Sequence, residues 1–187
     1  MESTKRRQEL RALIEAALLV AIAFALSWIR PFTLPQGGTV TPLSMLPILV
    51  IGIRHGLKWG LLGGITYTAL QMLQQFHTPP IANVQGFIAV IMLDYVLAFT
   101  VLGLSGFFKN KRYGLVIAAP LCLSLRYLSH FISGIVIWGV FAPEGQPVWL
   151  FSLIYNGSYM IPEIIVTTIV SAILCVTAPM LFEVKTA

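Results

Sequence analysis

Six apolar runs alternate with short polar stretches along the chain, over about 10–30, 42–54, 57–75, 86–107, 114–140 and 149–182. A membrane-crossing helix needs roughly 20 apolar residues. The second run is short for that, so it is expected to tilt or to recruit part of the loop before it. The sixth is too long, so its ends are expected to leave the bilayer. The pattern predicts an all-α integral membrane protein, a six-transmembrane-helix bundle, with residues 1–187 forming a single membrane domain. No internal repeat, low-complexity tract or soluble domain breaks it, so function is expected within the bundle.

Composition strengthens this reading. The chain is 57% hydrophobic and 10% charged, with a mean hydropathy of +0.86, whereas a soluble domain carries about a quarter charged residues. A basic stretch, Met1–Arg11, precedes the apolar run Ala12–Ile29 and resembles a signal peptide. The run exceeds the 7–15 apolar residues of such a peptide, and no cleavage site with a soluble mature domain follows. It is therefore expected to be a retained first helix. Cys122 and Cys175 sit inside apolar runs without metal-ligand spacing and are expected to be packing residues. No metal site and no cofactor are expected.

The net charge of +5 does not point to nucleic acid, because of where the charges fall. Lys5, Arg6, Arg7 and Arg11 precede the first helix. Arg54 and Lys58 separate the second and third, Lys109, Lys111 and Arg112 separate the fourth and fifth, and Lys185 is near the C-terminus. With six spans these places share one side, collecting ten of the twelve basic residues. The opposite loops, 31–41, 76–85 and 141–148, contain none. By the positive-inside rule, both N- and C-termini are cytoplasmic in a multi-pass protein of the cell (plasma) membrane. The outer loops are rich in Pro and Gly, as in PFTLPQGGTVTP, HTPP and FAPEGQPVW, and are expected to be shaped caps. Trp28, Trp138 and Trp149 fall at outer helix ends, where an aromatic belt is common.

Ionisable residues inside spans are rare and face a cavity or a partner. Here they are Asp94, Arg126, His130 and Glu163, while Glu15 and His55 sit near the cytoplasmic edge. Asp94 lies about eight residues into its helix, roughly 12 Å deep. His130, Asn156, Tyr67 and Gln71 also fall in the outer half. The polar groups of four helices thus converge on one pocket open to the outside. Arg126, His130, Gly134 and Trp138 are spaced by four and share one helix face. They present a charge, an imidazole, a gap and an indole rising outward. Helix packing at Gly134, with Ser129 and Ser133, is the alternative reading. Arg126 is expected to form a structural ion pair with Glu163, leaving Asp94 charged to attract an organic cation flanked by aromatic rings. Pairing of Asp94 with Arg126 is the competing arrangement. Ala17, Ala21 and Ala25 form a small-residue stripe on which another helix, from this chain or another subunit, can pack closely.

No Walker A loop, HExxH or GxSxG occurs, so neither ATP binding by that route nor a familiar hydrolase is indicated. A polar site at one end only suits a binding subunit driven by partners.

The stretches LPQGGTV, IRHGLKWGLLGG, LDYVLAF, RYLSHFISGIVIWG and VWLFSLIYNGSYMIP, in this order over nearly the whole chain, resemble the thiamin-specific S-component of energy-coupling factor (ECF) transporters, the ThiT/YuaJ family. The resemblance implies a non-enzymatic S-component. It captures thiamin (vitamin B1) on the extracytoplasmic side for ATP-driven uptake, with toppling of the subunit in the membrane. Its implied partners are thiamin, an ECF T-component, two ATPase subunits and the lipid bilayer. It implies a thiamin site at Asp94, Tyr95, His130, Gly134, Trp138, Asn156 and Tyr67, with Phe151 where a Tyr can stand and Tyr155 or Tyr159 supplying a compensating hydroxyl. It also implies that Ala17 and Ala21, in the stripe with Ala25, face the T-component. This chain departs from the family at Asp94, where Glu can stand, and in lacking an aromatic lid residue in TLPQGGTVTP. Three rivals remain: an S-component for another vitamin, an intramembrane hydrolase using His130 with a serine, and an assembly subunit without ligand.

Overall fold

The computed structural model describes residues 2–182, and Lys185, counted above with the inner charges, lies outside them. The described residues form helices α1 (Glu2–Leu26), α2 (Leu46–His55), α3 (Leu57–Gln74), α4 (Val84–Phe108), α5 (Gly114–Val136) and α6 (Val148–Thr177). α1 begins well before the apolar run, because RRQELRAL is built of good helix formers. α4 is composite. It is α-helical to Val90, π-helical over Ile91–Leu97 and 3-10 over Val101–Phe108.

The expectation of a purely helical chain needs one correction. Strands β1 (Phe32–Thr33) and β2 (Thr39–Val40) form an antiparallel hairpin, with Phe32 opposite Val40. The Gly pair after Pro35 lets the outer loop turn back on itself, and Leu34 N donates to Gly38 O at 2.7 Å.

α4, α5 and α6 are long and apolar enough to cross a membrane. α5 shows why. Ile117, Leu121, Leu125, Leu128 and Ile132 are exposed along one stripe, while Ala118, Cys122, Arg126, Ser129 and Ser133 are buried on the other. A helix that buries its polar positions and exposes its leucines is built for lipid. α5 packs most extensively on α6, and α2 and α3 pack on the 3-10 end of α4. The apolar core lies among α2, α4 and α5, with Ile48, Leu49, Leu102, Leu115 and Leu123 buried.

Two glycines set the α3–α4 distance. A Cβ on Gly103 would lie 2.4 Å from the carbonyl carbon of Gly60, so the two backbones touch. At the opposite end from the outer loops, Glu15 of α1 accepts from Arg11 and from Arg54, each at 2.8 Å, and pairs with His55 at 2.9 Å.

Replacing Gly103 by Ala is expected to destabilise the bundle by about 1–3 kcal/mol, the usual range for overpacking. The midpoint of thermal unfolding in detergent checks this, and an unchanged midpoint would contradict the close backbone packing.

Candidate functional site

The π segment of α4 is where the site begins. A π-turn inserts one extra residue into a helix and marks many functional sites. Here it carries Asp94 and Tyr95. Asp94 Oδ1 lies 3.1 Å from His130 Nδ1, and Oδ2 accepts from Ser133 Oγ at 2.8 Å and Trp138 Nε1 at 2.9 Å. With the Asp94 carboxylate as the acceptor, the imidazole donates from Nδ1. Its Nε2 then has no hydrogen-bond partner among the described residues.

Around this carboxylate is a cavity of about 140 Å³. Asp94, Tyr95, His130, Gly134, Trp138, Asn156, Tyr67, Phe151 and Tyr159, all named from the sequence, line it together. One wall is aromatic. Phe151, Tyr155 and Tyr159 follow at spacing four on α6, with ring centroids 5.7 and 6.1 Å apart. Asn156 is tied into the frame: its Nδ2 donates to Ser152 O at 3.0 Å and His130 O at 3.2 Å, and its Oδ1 accepts from Tyr159 at 2.6 Å.

Two expectations are corrected. Arg126 and Glu163 do not form an ion pair: no salt bridge joins them among the described residues. Glu163 Oε1 instead accepts from the Thr41 amide of the hairpin segment. The Arg126 guanidinium lies 4.0 Å from the Phe99 ring centroid and lines the cavity. Its Nε and Nη1 have no partner among the described residues. Sequence spacing gave the depth of both groups but not their rotation about the helix axes. The gap expected at Gly134 is also occupied. A Cβ there would meet Ser152 Oγ at 2.1 Å, so Gly134 admits Ser152 as well as lining the cavity. The pairing of Asp94 with Arg126 does not occur either, since the carboxylate is held by α5 donors and the Trp138 indole.

The residues that sequence reasoning missed come mainly from the outer loops. Gln36, Gly37, Gly38 and Thr39 of the hairpin, and Gln75 and His77 before α4, join the lining, as do Arg30, Thr41, Phe99 and Tyr155. Gly38 N donates to Tyr155 Oη at 3.0 Å. Gly37 has φ +90°, and a Cβ there would lie 2.1 Å from His77 Nε2. His77 is held in turn by Tyr95, whose hydroxyl donates to Gln75 O at 2.7 Å and accepts from His77 N at 3.0 Å. The hairpin tip therefore bridges α6 and His77 across the cavity. The Gly pair and the HTPP turn were visible signals of shape, but not of contact with the site.

With this geometry in view, the chain was compared with known proteins. Residues 13–183 match the family described as Thiamine transporter protein (Thia_YuaJ). This chain belongs to that family. The thiamine transporter ThiT of Bacillus subtilis is 37% identical, covering 94% of this chain and 96% of the relative. ThiT of Lacticaseibacillus paracasei is 31% identical, covering 97% and 94%. The solved structure of ThiT from Listeria monocytogenes superposes with a TM-score of 0.76 at 26% identity, covering 94% of this chain and 98% of that one. In this thiamine transporter family member, the three helices among the described residues that are apolar enough to cross a membrane are α4, α5 and α6, which carry seven of the nine cavity residues named from the sequence plus Gly134's packing partner Ser152. The exposed side of α1 carries Ala17, Ala21 and Ala25.

Burial lowers the His77 imidazole below its ordinary 6.5, with Asp94 opposing and Arg30 reinforcing. A base whose pKa is lower with the hairpin docked favours docking when neutral. Docking is therefore expected to be strongest above pH 6.5 and to weaken as the pH falls below it. A spin label at Gln36→Cys is expected to gain mobility on acidification, and to lose that pH dependence when His77→Gln is added. A flat profile in the parent would exclude His77 as the latch.

Proposed function

We propose that this chain captures thiamine from the extracytoplasmic side as the S-component of an ECF transporter, releasing it into the cell when partner ATPases drive the complex. The observation that carries the reading is a carboxylate, Asp94, held in place within an aromatic-walled cavity. Thiamine joins a cationic thiazolium to an aminopyrimidine. The cation suits Asp94 and the Trp138 face, and the pyrimidine suits His130 Nε2 and the aromatic wall of α6. Tyr67, Tyr95, Gly134, Asn156, Phe151 and Tyr159 shape the rest of the site. Family membership supplies the vitamin.

In this reading all six helices span the membrane and form one domain, with both termini cytoplasmic. The support is the sequence distribution of Lys and Arg, since the outer loops carry none. The stripe of Ala17, Ala21 and Ala25 is exposed on α1 and is the surface proposed for the T-component, because small side chains let a partner helix approach closely. The protein binds and releases without catalysis and needs no cofactor of its own.

Tryptophan fluorescence of the purified protein is expected to quench saturably on thiamine titration. Asp94→Asn and Trp138→Ala should each weaken binding by about ten- to a hundredfold, the worth of a charge-assisted contact. Absence of binding at micromolar thiamine would reject the assignment. Product formation by the isolated chain would favour the hydrolase alternative.

Uptake and binding should separate at α1. Ala21→Trp is expected to abolish thiamine accumulation in cells that express the whole transporter, while leaving the fluorescence titration of the purified subunit unchanged. Unimpaired uptake would remove the α1 stripe from the proposed interface.

A further inference from the structure

We infer that Ser129 and Ser133 of α5 are positioning residues for Asp94, fixing where its charge sits in the cavity. This rests on the proposed reading of the cavity as a thiamine site. Ser129 Oγ donates to the carbonyl of Leu93, the residue before Asp94, at 2.6 Å. Ser133 Oγ donates to Asp94 Oδ2 at 2.8 Å. Four residues apart on one helix face, the two serines grip the backbone and the side chain of the same step of α4.

That step lies in the π segment, where the backbone winds more widely than in the α-helical turns before it. Side-chain hydroxyls bracket it from both sides. Ser129 reaches Leu93 O from α5, and Thr68 Oγ1 of α3 lies 3.5 Å from Tyr95 O. Ser133 is fully buried and Ser129 is nearly so, and neither lines the cavity. Their hydroxyls are committed to α4, not to a ligand. Ser133 also divides the carboxylate. Oδ2 takes Ser133 and Trp138, while among the described residues Oδ1 takes only His130 and keeps acceptor capacity. Without Ser133, the hold on Oδ2 is left to the Trp138 indole alone. A cationic ligand feels the resulting shift through distance-dependent attraction, and a neutral one does not.

The test is a parallel titration of the purified full-length protein with thiamine and with an uncharged isostere, in which a neutral five-membered ring replaces the thiazolium. Ser133→Ala is expected to lose about tenfold in thiamine affinity, as for one hydrogen bond to a charged group, and Ser129→Ala, whose bond is to a neutral carbonyl, about threefold. Affinity for the neutral isostere should change by less than about twofold, so discrimination by charge shrinks. Ser129→Cys and Ser133→Cys keep the volume with a weak donor, carry the same expectation, and replace any alanine variant that does not purify folded. Equal weakening toward both ligands would overturn the inference and return the serines to helix packing, as would unchanged binding of both. Wild-type protein that binds neither ligand would overturn the thiamine reading itself.

Discussion

A carboxylate within an apolar helix bundle is tolerated only where donors meet it. Asp94 meets three, from His130, Ser133 and Trp138. All three lie within nine residues of α5 and its outer end. Satisfying one charge therefore fixes both the height and the rotation of α5 against α4. α6 is registered on α5 by further bonds: Ser152 donates to Phe131 O, Tyr127 to Leu153 O and Asn156 to His130 O. The cavity is the space left once these demands are met. Its aromatic wall and its charged wall are placed by the same network.

The hairpin belongs to that network through different chemistry. Its turn offers backbone N–H groups rather than side chains: Gly38 to Tyr155 and Thr41 to Glu163. A loop made largely of Pro, Gly and Thr has few other polar groups to offer. The deep carboxylate of Glu163 is thereby used on the hairpin segment, and Arg126 rests against the face of Phe99 instead.

This division explains what the amino-acid sequence disclosed. Helical runs were legible because hydropathy repeats over many residues. The face of α5 was legible because spacing by four survives any tertiary arrangement. Asp94 stood out because a charge within an apolar run is conspicuous. The nine residues named for a ligand do line one cavity. The Arg126–Glu163 pair failed because spacing fixes height along a helix but not direction around it. The open space at Gly134 failed for a related reason: the same missing Cβ can admit a ligand or a neighbouring Ser152, and only packing decides. The π-turn left no periodic trace, since seven apolar-rich residues read the same in either helical winding. The hairpin was hidden because its contacts to Tyr155 and His77 join residues 117 and about 40 positions apart.

The meeting of Gly60 and Gly103 limits how the protein can move. Two backbones in contact, with no side chain between them, have no lubricating layer that can repack as they slide. α3 and the inner half of α4 therefore behave as a fixed chassis. The hairpin, by contrast, is tied to α6 by hydrogen bonds from the Gly38 and Thr41 amides. The glycine contacts of α3 meet α4 at Phe99, Thr100 and Gly103, and the π-turn bearing Asp94 lies just before them in the chain, where side-chain hydrogen bonds take over the role of holding α4.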